Sequence, residues 1–174
     1  MSKIMYFVIP LLVITVFFIV KKANKKAEKN MDENSFKVRQ PMIFIWIGII
    51  CALFFSALLV YSLIFPDDTT DWVVYLIFSI FAVLGIFLTI YCIVWELRIE
   101  GDHIVYMPFV GIKRNYSLNS ITRIKLYNNQ KVKAYAGEKK LFSVEPTSRG
   151  YNVLISRLKK EQIYFDVELK KLGL

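Results

Sequence analysis

The 174-residue chain has few of the residues from which catalytic sites are built. It holds one histidine, His103, and two cysteines, Cys51 and Cys92, each set inside a long apolar run. Neither cysteine has a CxxC or Cys/His neighbour, so the pattern describes two small packing residues and no metal or redox site. Residues 96–174 contain no cysteine, which excludes a disulfide framework for an exported domain. GxSxG, HExxH, P-loop and GxGxxG patterns are all missing, and Asp102, Glu138 and Glu145 form no paired-carboxylate constellation. His103 reads as a surface turn residue rather than a general base. The expectation is a protein without enzymatic activity, cofactor or metal.

Charge is also missing, and in a pattern. Residues 4–20, 42–65 and 72–95 contain no Asp, Glu, Lys, Arg or His. A helix of roughly 20 apolar residues crosses a bilayer's hydrocarbon core, and the second and third runs are long enough. Ion pathways and proton relays place ionisable residues inside such spans, so transport by this chain alone is not expected. The expected organisation is a first transmembrane helix over 1–20, a basic cytoplasmic linker over 21–41, a helical hairpin over 42–95 with spans 42–65 and 72–95, and a cytoplasmic domain over 96–174. Lys21-Lys22 follow the first run directly and no small-x-small cleavage pattern does, so a retained helix is preferred over a cleaved signal.

What charge there is sits at the span ends. The net charge is +9; residues 21–39 hold seven basic and three acidic residues, and 96–174 hold fifteen and eight. The short loop 66–71 carries Asp67, Asp68 and Asp71 and no base. Cytoplasmic loops carry the Lys and Arg excess, which places the basic segments inside, the aspartate loop outside and the N-terminus outside a plasma membrane. The lysines near residue 21 also suit anionic headgroups, although a topology signal alone would explain them. Membrane tethering accounts for the positive charge without nucleic acid. Trp46, Trp72, Tyr91 and Trp95 lie near span ends, as interfacial aromatics do, and Gly48, Ser56, Ala57, Ser79, Ala82 and Gly85 are small enough for close helix approach.

Beyond Trp95 the hydrophobic period changes from helical to alternating. Strands are expected at 96–100, 103–109, 113–116, 121–127, 131–136 and 139–144, joined by tight turns in an antiparallel meander or partial barrel. A helix follows, with Ser148 as its cap and Tyr151, Leu154, Ile155 and Leu158 on one face. Residues 162–174 fit a continued or broken helix through Phe165, Leu169 and Leu172, or a strand through Ile163, Phe165 and Val167; the helix is preferred. The fold class is therefore α+β, with three transmembrane helices ahead of a small β-domain.

The hairpin around Asn128 has a readable register. A three-residue loop pairs Leu126 with Val132 and Ile124 with Ala134, and leaves Arg123, Lys125, Tyr127, Lys131, Lys133 and Tyr135 on the opposite face. Asn129 or Gln130 then takes the left-handed position, Asn more easily. Lys125 faces Lys133 across the pair, which is mildly destabilising and marks a candidate surface for anionic headgroups or an acidic protein. A solvated outer face, or an edge guarded by lysines, would show the same pattern.

Three stretches, Asn115-Tyr-Ser-Leu-Asn-Ser-Ile-Thr-Arg-Ile124, Lys139-Lys-Leu-Phe-Ser-Val144 and Tyr151-Asn-Val-Leu-Ile-Ser-Arg-Leu158, carry a resemblance. Over residues 95–160 the chain resembles the bacterial pleckstrin-homology-like domains of small membrane proteins. The resemblance implies a bent antiparallel sheet capped by a C-terminal helix, and a role in binding or assembly at the membrane rather than catalysis. Phosphoinositide-binding relatives use basic residues around the first strand turn; the turn read here is Glu100-Gly101-Asp102-His103, which is acidic, so inositol-lipid recognition is not carried over. The expected role is to present an interaction domain at the inner membrane face, to anionic lipid, a protein partner or a second copy. The alternative is an accessory subunit of a membrane transporter or enzyme, partnered through its helices.

Overall fold

The computed structural model describes residues 20, 22–28, 31–66 and 71–167; the first apolar run, apart from Val20, lies outside the described residues. The chain forms two compact units, residues 40–95 and the remainder, and the remainder is assembled from both sides of the first.

Residues 40–95 form an antiparallel pair of apolar helices, α1 (Met42–Ile64) and α2 (Trp72–Val94), both long and apolar enough to cross a membrane. At 23 residues each, the helices are about 35 Å long, against a hydrocarbon core of about 30 Å. Pro41 precedes the first turn of α1, and the Asp71 carboxylate caps α2 by accepting from the Trp72 N–H at 2.6 Å. The helices meet most closely at Gly48 and Gly85. A Cβ on Gly85 would stand 2.6 Å from the Ala52 backbone nitrogen and 2.8 Å from the Gly48 carbonyl, so only glycine fits there. Phe55 stacks on Phe81 with ring centroids 4.8 Å apart, filling the seam beyond the glycines.

The β-unit contains two four-stranded sheets and a helix. The first sheet runs β1 (Ser35–Arg39), β2 (Glu96–Glu100), β3 (His103–Phe109) and β4 (Ile112–Ser117), each antiparallel to its neighbour. A short 3₁₀ turn at Leu118–Ser120 leads to the second sheet. There β5 (Arg123–Leu126), β6 (Val132–Ala136) and β7 (Lys139–Val144) form a meander; the helix α3 (Tyr151–Lys160) follows, and β8 (Tyr164–Val167) returns parallel to β5. Both sheets turn their apolar faces to one core of Leu97, Ile99, Ile104, Ile124, Val132, Phe142 and Val144, and α3 adds Leu154 and Leu158. Tyr106 of the first sheet meets Phe142 of the second at 6.2 Å between ring centroids.

Four expectations change. The six-stranded meander is two separate sheets, and no closed barrel forms among the described residues. The segment read as linker is structured: residues 22–28 are helical, and Ser35–Arg39 is an edge strand with Phe36 and Val38 buried on alternate positions. Residues 164–167 are a strand and not a helix, because Gln162 turns the chain at φ 54° and the row beside β5 was still open. The described part of 162–174 ends at residue 167. Ser148 is buried but does not cap α3; Gly150 does, at φ 87°, a conformation that glycine adopts without strain.

β1 and β2 flank the helical hairpin in sequence and are neighbours in the sheet, with Arg39 paired to Glu96 and Ser35 to Glu100. At that first rung the Glu96 carboxylate, in a buried residue, accepts from Arg39 through Nε at 2.8 Å and through Nη2, and from Arg98 Nε at 3.0 Å. Burial pushes the Glu96 carboxyl up, but the two guanidiniums outweigh it and hold it below its ordinary value of 4.5.

Because the folded-state value lies below the unfolded one, this carboxylate contributes stability above its unfolded value and loses it as pH falls through the folded one. Glu96→Gln should therefore lower the melting temperature of the intact chain at neutral pH, by a cost of about 2 kcal/mol, and flatten its decline as pH falls below the ordinary carboxylate value of 4.5. Equal acid sensitivity in both proteins would remove Glu96 from that role. Phe36→Ala tests the strand itself: loss of a buried ring from β1 should cost about 3 kcal/mol in denaturant unfolding of the full chain. A passive linker would show no change.

Candidate binding face on the second sheet

The β5–β6 hairpin adopts the register read from its sequence: Leu126 opposite Val132, Ile124 opposite Ala134 and Lys125 opposite Lys133. The loop is three residues long, since the Tyr127 N–H donates to the Lys131 carbonyl at 3.0 Å. Gln130, not Asn129, holds the left-handed position at φ 60°. Asn129 is used otherwise: its Oδ1 accepts from the Lys131 N–H at 3.1 Å and braces the turn from the preceding position.

Arg123, Lys125, Tyr127, Lys131, Lys133 and Tyr135 are all half-buried on this hairpin. The Arg123 guanidinium lies over the Tyr135 ring at 5.4 Å, and the Lys133 ammonium over the Tyr127 ring at 4.3 Å while donating to its hydroxyl at 3.2 Å. Lys131 pairs with Glu145. Lys125 lies between Lys133 on β6 and Asp166 on β8, so a carboxylate on one side offsets the like charge on the other. Burial pushes the Tyr135 hydroxyl up, and its hydrogen bond with Tyr127 adds to the rise; Lys133 and Arg123 oppose it without reversing it. Tyr135 accordingly stays neutral at physiological pH, and the two rings serve as platforms for the cations.

The sequence reading missed the flank of this face. β8 places Tyr164 beside Arg123 and Asp166 beside Lys125, and Tyr164 is exposed. Those residues fell in the stretch expected to be helical. The alternation Ile163, Phe165, Val167 was the available signal. On β7, Ser143 stands opposite Lys133. The whole is a patch in which Arg123 and Lys133 are held over aromatic rings.

The chain belongs to DUF6560, a family of unknown function. The match covers residues 1–166, so it includes the helical hairpin and the β-unit through Asp166. No curated protein and no solved structure matches the chain.

A second polar cluster lies ahead of β1 in this member of DUF6560. The Glu28 carboxylate accepts from the Gly150 N–H at 2.9 Å, from the Asn152 N–H at 3.4 Å and from the Asn152 side-chain amide at 2.7 Å. It thus caps α3 from more than a hundred residues away, where a carboxylate also faces the positive end of the helix dipole. Asn24 donates to the Thr147 carbonyl at 2.6 Å, Glu33 pairs with Lys160, and Asn34 accepts from Arg157 at 3.2 Å. Residues 24–28 and 31–34 therefore lie along α3, the first near its N-terminus and the last near its C-terminus. Between Val20, Asn24 and Glu28 on one side and Gln130, Pro146 and Tyr151 on the other is a cleft of about 450 Å³.

Glu28→Gln should destabilise the β-unit by about 1 kcal/mol, because the helix loses its capping charge while keeping an acceptor. Hydrogen exchange at the Gly150 and Asn152 amides should accelerate more than exchange at Leu158. Uniform acceleration along α3 would mean that Glu28 acts on the unit as a whole and not as a cap.

Proposed function

We propose that this chain is a non-enzymatic membrane protein that holds a rigid basic face at the membrane for an acidic protein partner. The observation that carries the reading is the pairing of β1 with β2 around the helical hairpin: the β-unit is fixed to the two apolar helices at two adjacent strands. A domain hung on one flexible linker would sweep a volume, whereas two short connections confine its binding surface and raise its effective concentration for anything in the same membrane.

The order of four antiparallel strands, three antiparallel strands and a helix supports the pleckstrin-homology-like reading, with the apolar hairpin in place of the first strand turn. In such domains that turn carries the basic residues for phosphoinositides. Here it leads into α1 and α2, which is a stronger argument against inositol-lipid recognition than the acidic turn at residues 100–103. The basic face suits a protein better than a headgroup: Tyr127, Tyr135 and the neighbouring Tyr164 give it aromatic surface, and Arg123 and Lys133 are already engaged by rings. The inside-positive charge pattern supports a cytoplasmic position for the face.

The test is a photocrosslinking amino acid at position 125 of the full chain in its native membrane. A discrete protein adduct should form, and Arg123→Glu with Lys133→Glu should reduce it roughly tenfold, as expected for loss of about 1.4 kcal/mol, while the melting temperature is kept. Adducts to lipid alone would replace the protein partner with headgroups. An adduct indifferent to both reversals would discard the face.

A further inference from the structure

We infer that the β3–β4 turn is a second membrane contact, in which Val110 and Ile112 enter the headgroup region of the bilayer and Lys113 and Arg114 sit on anionic headgroups. Outside the helical hairpin of residues 40–95, the exposed large apolar residues among the described residues are Phe109, Val110, Ile112 and Tyr164, and the first three belong to this one turn. Val110 is 51% and Ile112 46% exposed, so neither is there to fill the core. The turn itself does not require them. Gly111, at φ 75°, supplies the backbone conformation, and polar residues are the usual company of such a glycine. Pro108, which has no N–H for the ladder, lies where the register shifts between Tyr106 and Phe109 and re-aims the tip.

The register shows which end of the sheet carries this tip. Arg39 pairs with Glu96, and Glu96 pairs with Met107, so these three residues form one row across β1, β2 and β3. The chain leaves that row for α1, which begins at Met42, and returns to it from α2, which ends at Val94. Three residues span at most about 11 Å, so the connection from this row to the first residue of α1 is short. The turn continues past the same row by three residues, roughly 10 Å at strand rise, from the same end of the sheet. The β2–β3 turn, Gly101-Asp102, is at the opposite end and is polar.

Charge agrees with this placement. Residues 107–117 include Lys113 and Arg114, both exposed, and no acidic residue. Two apolar side chains are too small a patch for a stable protein interface, which buries on the order of 1,000 Å² or more. They suffice for a contact with a bilayer to which the chain is already tethered. The inference rests on α1 and α2 spanning the bilayer and not on the basic face of the second sheet.

The experiment uses the full chain with Cys51→Ala and Cys92→Ala, reconstituted in phosphatidylcholine vesicles with and without phosphatidylglycerol. An environment-sensitive fluorophore is placed on Val110→Cys, Leu84→Cys or Glu138→Cys. Brominated lipid should quench Val110→Cys several-fold more than Glu138→Cys, and aqueous iodide should do the reverse. Lys113→Glu with Arg114→Glu should reduce the lipid quenching at position 110 several-fold in vesicles containing phosphatidylglycerol; unchanged quenching would remove the headgroup contacts. Should Val110→Cys behave like Glu138→Cys while Leu84→Cys is quenched by lipid, the wedge is overturned and the anchor stands. Loss of lipid quenching at Leu84→Cys as well would overturn the anchor, and the wedge with it. A photocrosslinking residue at position 110 in the chain with native cysteines gives an independent readout: lipid adducts support the wedge, and adducts to protein alone overturn it.

Discussion

The pairing of β1 with β2 is the constraint on which the rest of the structure depends. These strands are separated in sequence by the whole of the apolar hairpin and are adjacent in the sheet. Closing a loop of that length costs little more entropy than closing a short one, because the cost rises only with the logarithm of length. The hairpin reduces even this, since its packed antiparallel helices place residues 42 and 94 at the same end of the pair. The ladder, the burial of Phe36 and Val38 and the Arg39–Glu96–Arg98 ion cluster then hold the junction shut. An ion cluster suits the position. A buried carboxylate with a single partner gains little over its desolvation, whereas two guanidiniums satisfy both of its oxygens and make any other register leave a charge unpaired.

The consequence reaches α3. Once β1 is a strand, the residues before it are brought alongside the C-terminal helix, and Glu28, Glu33 and Asn34 meet Gly150, Lys160 and Arg157. A short amphipathic helix is marginal alone. This one is stabilised by Leu154 and Leu158 in the core and, at both of its ends, by partners that precede the apolar hairpin in sequence. The β-unit is thus a single cooperative object made from two pieces of chain, and residues 96–174 alone would leave β2 unpaired along the edge that β1 covers and α3 without its cap.

How much of this was legible in the sequence follows from the range of each interaction. The six strands after Trp95, the register around Asn128 and the apolar face of α3 are local patterns of period two or 3.6, and they could be read directly. β1 has the same alternation, Ser-Phe-Lys-Val-Arg, but it is five residues long and follows a lysine-rich stretch, so the surrounding charge hid it. β8 was ambiguous because four residues fit either period, and only the open row beside β5 decides between them. Gln130 displaced Asn129 at the left-handed position because Asn129 was needed one place earlier to brace the loop. The six residues of the basic face were found from the hairpin alone. Their tyrosine–cation pairing and their β8 flank required the fold.

The closed sheet also bears on how the chain meets a bilayer. If α1 and α2 both cross, Arg39 and Glu96 must emerge on one side, because they share a rung and their carboxylate–guanidinium bonds span a few ångströms. This holds whatever the flanking charges are. Charge then decides only which side that is, and the residues available to it are not free linker lysines alone. Lys37 and Arg39 stand in β1, while Lys22, Lys25 and Lys26 lie on the helical segment that leads to the α3 cap. In the topology proposed above, one set of basic residues serves both orientation and fold. A mutation that neutralised them to invert that topology would also weaken the first sheet, and an inverted chain would have to carry its cation-rich β-unit across the membrane. Under that proposal the β1–β2 pairing and charge oppose inversion together, and each of them acts through residues the other also uses.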